Sequence, residues 1–348
     1  RVQIKYDNAI TPMAPYLFFL CVGTYATFKK EVVYPDGKKF MLELLVPPDA
    51  EKEVAEQALE ILYDGILWIH LFTGPERYKN MEKSKKLWSL IKRRDKGEQV
   101  QEEISRLRDG MILGYEYTGT VYREIGMQNS NFGGMENVGN TTISTNRIMP
   151  FKQMNDAGFE YLIAVNLHEF YHNLNGSEVT GWSPFEIWLN EAVTVHMERK
   201  YSAFVFGKDY HRLYEVLTLL TPSRGTLAMD VNPAAMPIEP DGFNSTTELV
   251  TGITYVKAPE FVKMIETLMG EEKFFQGLDL YYQRYKHSNA TRKQWLQAME
   301  EVSGLSFERM AETWLKQTKY PIVKVTKEYK NDTLTLYLTQ SGFKEGMH

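Results

Sequence analysis

The stretch Glu160-Tyr161-Leu162-Ile163-Ala164-Val165-Asn166-Leu167-His168-Glu169-Phe170-Tyr171-His172 decides the reading of this chain. Its first eight residues are strongly apolar, as expected of a buried helix. On a helix, residues four apart share a face, so His168 and His172 can offer their imidazoles to one metal ion. Glu169 lies between them in sequence and can reach water at that ion. Eighteen residues after His172 comes Glu191. Two histidines and one carboxylate form the ligand set of a catalytic zinc site that keeps a fourth position open.

Glu191 is read onto a helix of its own. Ser183 suits the N-cap, Pro184 the first turn, and Glu186 closes a capping box. Phe185, Trp188 and Leu189 give that helix an apolar face, and Glu191 falls within it. A carboxylate in such a setting requires a cation. His196 lies five residues further on, points elsewhere, and is read as a packed or surface histidine. Asn175 and Glu178 stand three and six residues past His172, where one branch of zinc proteases needs Gly and His, so that branch is excluded.

Three further motifs accompany these residues: Gly133-Gly134-Met135-Glu136-Asn137, Trp188-Leu189-Asn190-Glu191, and Tyr255 with Lys257 two residues later. In order and spacing they resemble the M1 family of zinc aminopeptidases, which are gluzincins, from about Thr11 to about Val325. The run Thr194 to Arg199 is similar to the branch that includes the leukotriene-hydrolysing aminopeptidases. The sequence departs from the family pattern at Leu174, Ser177 and Glu178, at Ala192 after Glu191, and at Ala258-Pro259 after Lys257. None of these is a zinc ligand, and they bear on substrate fit more than on chemistry.

The resemblance implies an α+β fold. Its centre is a thermolysin-like catalytic domain, with a small mixed β-sheet, a mainly helical lobe and remnants of flanking β domains. Residues 1–30 are expected to end an N-terminal β domain, 31–320 to form the peptidase domain, and 321–348 to begin a C-terminal β segment. Either the chain is an excised catalytic portion or the enzyme is naturally reduced. The resemblance implies one zinc ion per chain, held by His168, His172 and Glu191. It makes Glu169 the general base and Tyr255 the oxyanion donor. Gly133, Gly134, Met135 and Glu136 become substrate-binding residues, with Glu136 pairing the free amino group. The implied partners are peptides with a free N-terminus.

Bulk properties agree. The 348 residues suffice for a large core, and the net charge of -5 carries no basic excess that would suggest nucleic acid. A single cysteine, Cys21, rules out an intrachain disulfide and fits a reducing, cytoplasmic setting. It sits in an apolar stretch and is read as a small core residue. No apolar stretch is long enough for a transmembrane segment. Oligomeric state has no sequence signal.

Residues 51–72 read as an amphipathic helix and 118–145 as strands. Residues 157–320 read as mainly helical. Tyr320 to Leu338 read as strands turning at Asn331-Asp332. Residues 79–109 are charged and helical in pattern. They are read as a solvated surface insertion relative to the family, with a lid over the cleft as the alternative. Two other functions compete with an aminopeptidase: a hydrolase of a non-peptide substrate such as a lipid epoxide, and an inactive scaffold or binding module of the same fold.

Overall fold

The computed structural model describes residues 12–128, 130 and 133–342. The first eleven residues of the expected N-terminal β remnant and the last six of the C-terminal segment lie outside the described residues.

A five-stranded mixed sheet opens the fold. Strands β1 (Ala26–Val33) and β2 (Lys39–Val46) are antiparallel. They are joined by a turn in which Gly37 takes φ +89°, a conformation that favours glycine. Phe40, Leu42, Leu44 and Val46 are buried on one face of β2, the period of two expected of a half-buried strand. Helices α1 (Lys52–Phe72), α2 (Arg77–Asp95) and α3 (Gln101–Arg108) follow, and the chain then returns to the sheet as β3 (Val121–Met127). Strands β4 (Gly134–Met135) and β5 (Asn140–Ser144) complete it in the order β1-β2-β3-β5-β4. β2, β3 and β5 run parallel, and β4 is an antiparallel edge.

The helical lobe begins with the short α4 (Thr145–Ile148) and with α5 (Asp156–Tyr171). Asn155 caps α5, its side chain accepting from Gly158 N at 2.8 Å. Every residue from Leu162 to Tyr171 is buried. A helix buried on all sides belongs to a core, so His168 and Glu169 are polar groups placed deliberately inside it. β6 (Val179–Gly181) leads to α6 (Ile187–Phe206). The predicted capping box is present, with Ser183 N donating to Glu186 Oε2 at 2.9 Å. It closes a 3-10 turn, Pro184–Glu186, that runs into α6.

Beyond α6 come α7 (Lys208–Leu220), α8 (Thr226–Asp230), α9 (Ala258–Met269), α10 (Glu271–Tyr285), β7 (Ser288–Ala290), α11 (Arg292–Ser303) and α12 (Glu308–Leu315). The described chain ends in a hairpin, β8 (Ile322–Lys330) and β9 (Thr333–Ser341). Its two-residue loop puts Asn331 and Asp332 at φ 50° and 57°, the type I′ geometry that suits strand twist. Both hairpin faces are exposed.

Two expectations change. Residues 79–109 are not merely a solvated excursion: Leu87, Leu90, Ile91 and Ile104 are buried and join the main core. The many charges occupy the outer face of a packed helix pair, and neither helix lines the cleft beside α5. Cys21 is half-buried rather than a core residue, with Sγ 2.8 Å from the Tyr25 hydroxyl. Its segment crosses the surface, leaving Phe18, Leu20 and Val22 exposed. Among the described residues, no helix is long and apolar enough to cross a membrane.

Candidate metal centre

α5 and α6 bring His168, His172 and Glu191 together. The Nε2 atoms of the two histidines are 2.9 Å apart. Glu191 Oε2 lies 3.2 Å from the first and 3.4 Å from the second. All three residues are buried. The opposite ring nitrogens are already engaged. His168 Nδ1 bonds Glu198 Oε2 at 3.0 Å, and His172 Nδ1 bonds the Asn175 carbonyl oxygen at 2.8 Å. Acceptors on both Nδ1 atoms keep the protons there and leave both Nε2 lone pairs facing each other and a carboxylate. Glu191 Oε2 has no aligned hydrogen-bond donor. Three buried acceptors converging on one point repel unless a cation or shared protons lie among them. The donor set therefore fits a zinc ion.

The electrostatics carry the same mark. Burial disfavours the charged His172 ring, yet Glu136 and Glu191 outweigh it and push its pKa up to about 9. Burial likewise opposes protonation of His168, and its bonds to Glu191 and Glu198 hold it well above the usual range. Burial would raise Glu191, but the two histidines draw it well below the usual carboxylate range. Burial dominates at Glu169, pushing it up to about 8 despite both histidines. This pocket attracts positive charge.

Other motif residues ring the same point. One ligand atom each from Glu136, Glu169 and His172 lie within 4.8 Å of one another. Gly134, on the edge strand, packs so closely on Glu169 that a Cβ there would overlap its carboxylate. Glu136 is 7% exposed and sits beyond β4. Tyr255 lies in a π-helical turn, Ile253–Lys257, with its ring 6.2 Å from that of His168 and its hydroxyl under the influence of the Glu191 carboxylate. Burial, then Glu191 and Glu136, raise its pKa, so the phenol keeps its proton and remains a donor. Lys257 anchors this turn through Asp230 Oδ2 at 2.7 Å and the Gln317 carbonyl oxygen at 3.0 Å. Met135 pairs with Thr142 in the sheet edge. A Cβ on Gly133 would meet Arg147 Nη1 at 2.5 Å.

Several residues at the site escaped the sequence reading. Glu198 lies two helical turns after Glu191 on α6, a spacing that could have flagged it. Asn175 orients His172 and is itself fixed, its Nδ2 donating to the Asn190 carbonyl oxygen at 2.7 Å. Gly176 takes φ 128°, and a Cβ there would stand 2.9 Å from His172 Nδ1. Tyr16, 48% exposed overall, turns its hydroxyl toward Glu136, Glu191 and the Asn190 amide, where burial raises its pKa. Asn137 Nδ2 donates to the neighbouring Leu17 carbonyl oxygen at 3.4 Å and ties this segment to the glycine motif. His196 is buried, with Nε2 3.0 Å from Glu266 Oε2, away from the centre.

Comparison with known proteins agrees with this geometry. The profile of the Peptidase family M1 domain matches residues 96–314. The chain is 32% identical over 231 residues to aminopeptidase N of Escherichia coli strain K12, covering 66% of this chain and 26% of that protein. It is 29% identical over 319 residues to aminopeptidase N of Caulobacter vibrioides, covering 91% of this chain and 32% of the relative. A crystal structure of Legionella pneumophila aminopeptidase A in complex with aspartic acid has the same fold. It superposes with a TM-score of 0.72 at 18% identity, over 93% of this chain and 32% of that one. The chain thus spans a quarter to a third of these relatives' lengths. With a profile match over more than half its residues, and with the histidine pair and distant carboxylate converging as that family requires, this chain belongs to peptidase family M1.

Proposed function

We propose that this chain is the catalytic portion of a zinc-dependent aminopeptidase that removes N-terminal residues from peptides. The observation that carries the proposal is the convergence of His168 Nε2, His172 Nε2 and Glu191 Oε2, with both Nδ1 protons held outward. These three would hold one zinc ion. A bound zinc ion acidifies water and polarises a carbonyl group.

Glu169 then serves as general base. Its carboxylate takes a proton from the attacking water and returns it to the departing amine. Tyr255 keeps its proton and donates it as a hydrogen bond to the carbonyl oxygen as charge develops there. Glu136 pairs with the substrate's free ammonium, since a cation there offsets the burial that raises its pKa. That pairing sets the cut one residue in. Gly133, Gly134 and Met135 present an open strand edge on which the first residues of a peptide can lie. We read residues 31–320 as the peptidase unit and the terminal hairpin as the start of a C-terminal β segment. The lone Cys21 supports a reducing, cytoplasmic setting.

The test is a panel of fluorogenic aminoacyl amides, free and N-acetylated, with and without a zinc chelator. Chelator-sensitive cleavage of only the free-amine compounds is expected. Equal cleavage of the acetylated set would refute amine recognition. No cleavage by zinc-loaded protein would refute the activity and favour the scaffold reading.

A further inference from the structure

A cavity of about 490 Å³ opens from His168, Glu169 and Tyr255 and runs between α5, α6 and α7. Glu136 does not line it. If Glu136 holds the amino end, this half of the cleft receives the peptide residues beyond the scissile bond. Its far wall holds polar atoms that the protein leaves without partners. Ser202 is 2% exposed and His211 is 8% exposed. Neither the serine Oγ nor either ring nitrogen has a hydrogen-bond partner. His211 Nε2 comes within 3.3 Å of Glu215 Oε1 without the alignment of a hydrogen bond. Buried polar groups without partners are uncommon and costly, and each asks for a ligand or water.

The charge of the cavity narrows the choice. Glu160, Glu198 and Glu215 line it against one cation, Arg199. Arg199 bonds Glu260 at 2.8 Å, a carboxylate it shares with Arg212 behind the wall. Glu198 faces His168 with one oxygen, while Glu215 gives Oε2 to Arg212 at 2.6 Å and turns Oε1 toward His211. Burial lowers the His211 pKa, so the ring stays neutral and offers one acceptor nitrogen. The near wall is apolar, formed by Ala157, Ala164 and Val195. An apolar passage that ends in unpartnered acceptors, with more carboxylates than cations in its lining, suits a long aliphatic stem with a cationic head.

We propose that this cavity is the subsite for the second residue of the peptide, and that it selects a lysine or arginine side chain through Ser202, His211 and Glu215. The assignment rests on the aminopeptidase reading for its orientation, but its test does not need turnover. Zinc-loaded Glu169→Gln protein is titrated calorimetrically with Leu-Lys-Ala and with Leu-norleucine-Ala, which differ only in the amine. The lysine peptide is expected to bind about tenfold tighter, an advantage that shrinks at raised ionic strength. In His211→Leu, and separately in Glu215→Gln should the first fail to fold, the advantage falls below about threefold. Equal binding, preference for norleucine, no binding of either peptide, or a preference that survives both substitutions overturns the subsite. Cleavage of the same peptides by the unsubstituted protein runs in parallel. A lysine preference in binding without cleavage of either would uphold the subsite and refute the aminopeptidase.

Discussion

Replacing Glu198 by alanine isolates how much of the metal site depends on a residue that cannot itself touch the ion. Glu198 Oε2 accepts the Nδ1 proton of His168 at 3.0 Å. That bond fixes the tautomer, aims Nε2 at Glu191, and makes the ring a stronger donor. Alanine leaves the ring free to rotate and to move its proton to Nε2. Losing such a partner typically weakens metal binding by 10–100-fold, about 1.4 to 2.7 kcal/mol. The Glu198 side chain is 24% exposed, so truncation seals no cavity and the melting temperature of the metal-free protein should move little. Zinc affinity is measured by competition with a chelating dye, and activity at limiting and saturating zinc. Glu198→Gln is the control. Its carbonyl oxygen can accept the same proton without the charge, so its loss should fall between wild type and alanine. Zinc binding by the alanine variant within about twofold of wild type would refute the reasoning, and His168 would then be oriented by packing alone.

Glu169→Gln should retain zinc and lose 10²–10⁴ in kcat, the usual worth of a general base; retention of more than about a tenth of wild-type turnover refutes that role. Glu136→Ala should raise KM for free-amine substrates and erase discrimination against N-acetylated ones, and an unchanged KM removes Glu136 from amine recognition. A pH prediction concerns His70, at the end of α1. Burial pushes its pKa down to about 4, and Glu116, 3.9 Å away, does not offset this. The folded pKa lies below the unfolded value of about 6.5, so the unfolded chain binds more protons between them. Stability must then fall as pH drops from about 6.5 toward 4, by on the order of 2 kcal/mol at pH 5 from this group. Thermal melts at pH 7.5 and pH 5 should show a smaller drop for His70→Gln than for wild type; identical drops would remove His70 as the cause.

How much of this was legible varied with distance along the chain. The pairing of His168 with His172 follows from helical periodicity alone. The Ser183–Glu186 box and the Asn331-Asp332 turn are equally local, because side-chain capping and positive φ act within a few residues. The roles of Tyr255 and Glu136 came only through family resemblance, since nothing near them in sequence distinguishes them from other tyrosines and glutamates. The burial of Leu87, Leu90 and Ile91 was hidden by the charges around them.

The order of residues alone dictated the ligand types, the spacing that lets two of them share a face, and the catalytic family. Those are matters of residue chemistry and of one helix's geometry. Three-dimensional packing was needed to bring Glu191, on a different helix, to both Nε2 atoms. It also set Glu198 and Asn175 on the outer ring nitrogens and left Ser202 and His211 unpartnered in the adjoining cavity. Each of those depends on how α5, α6 and α7 pack. Packing sums weak contacts across the whole core, and so no local pattern encodes it.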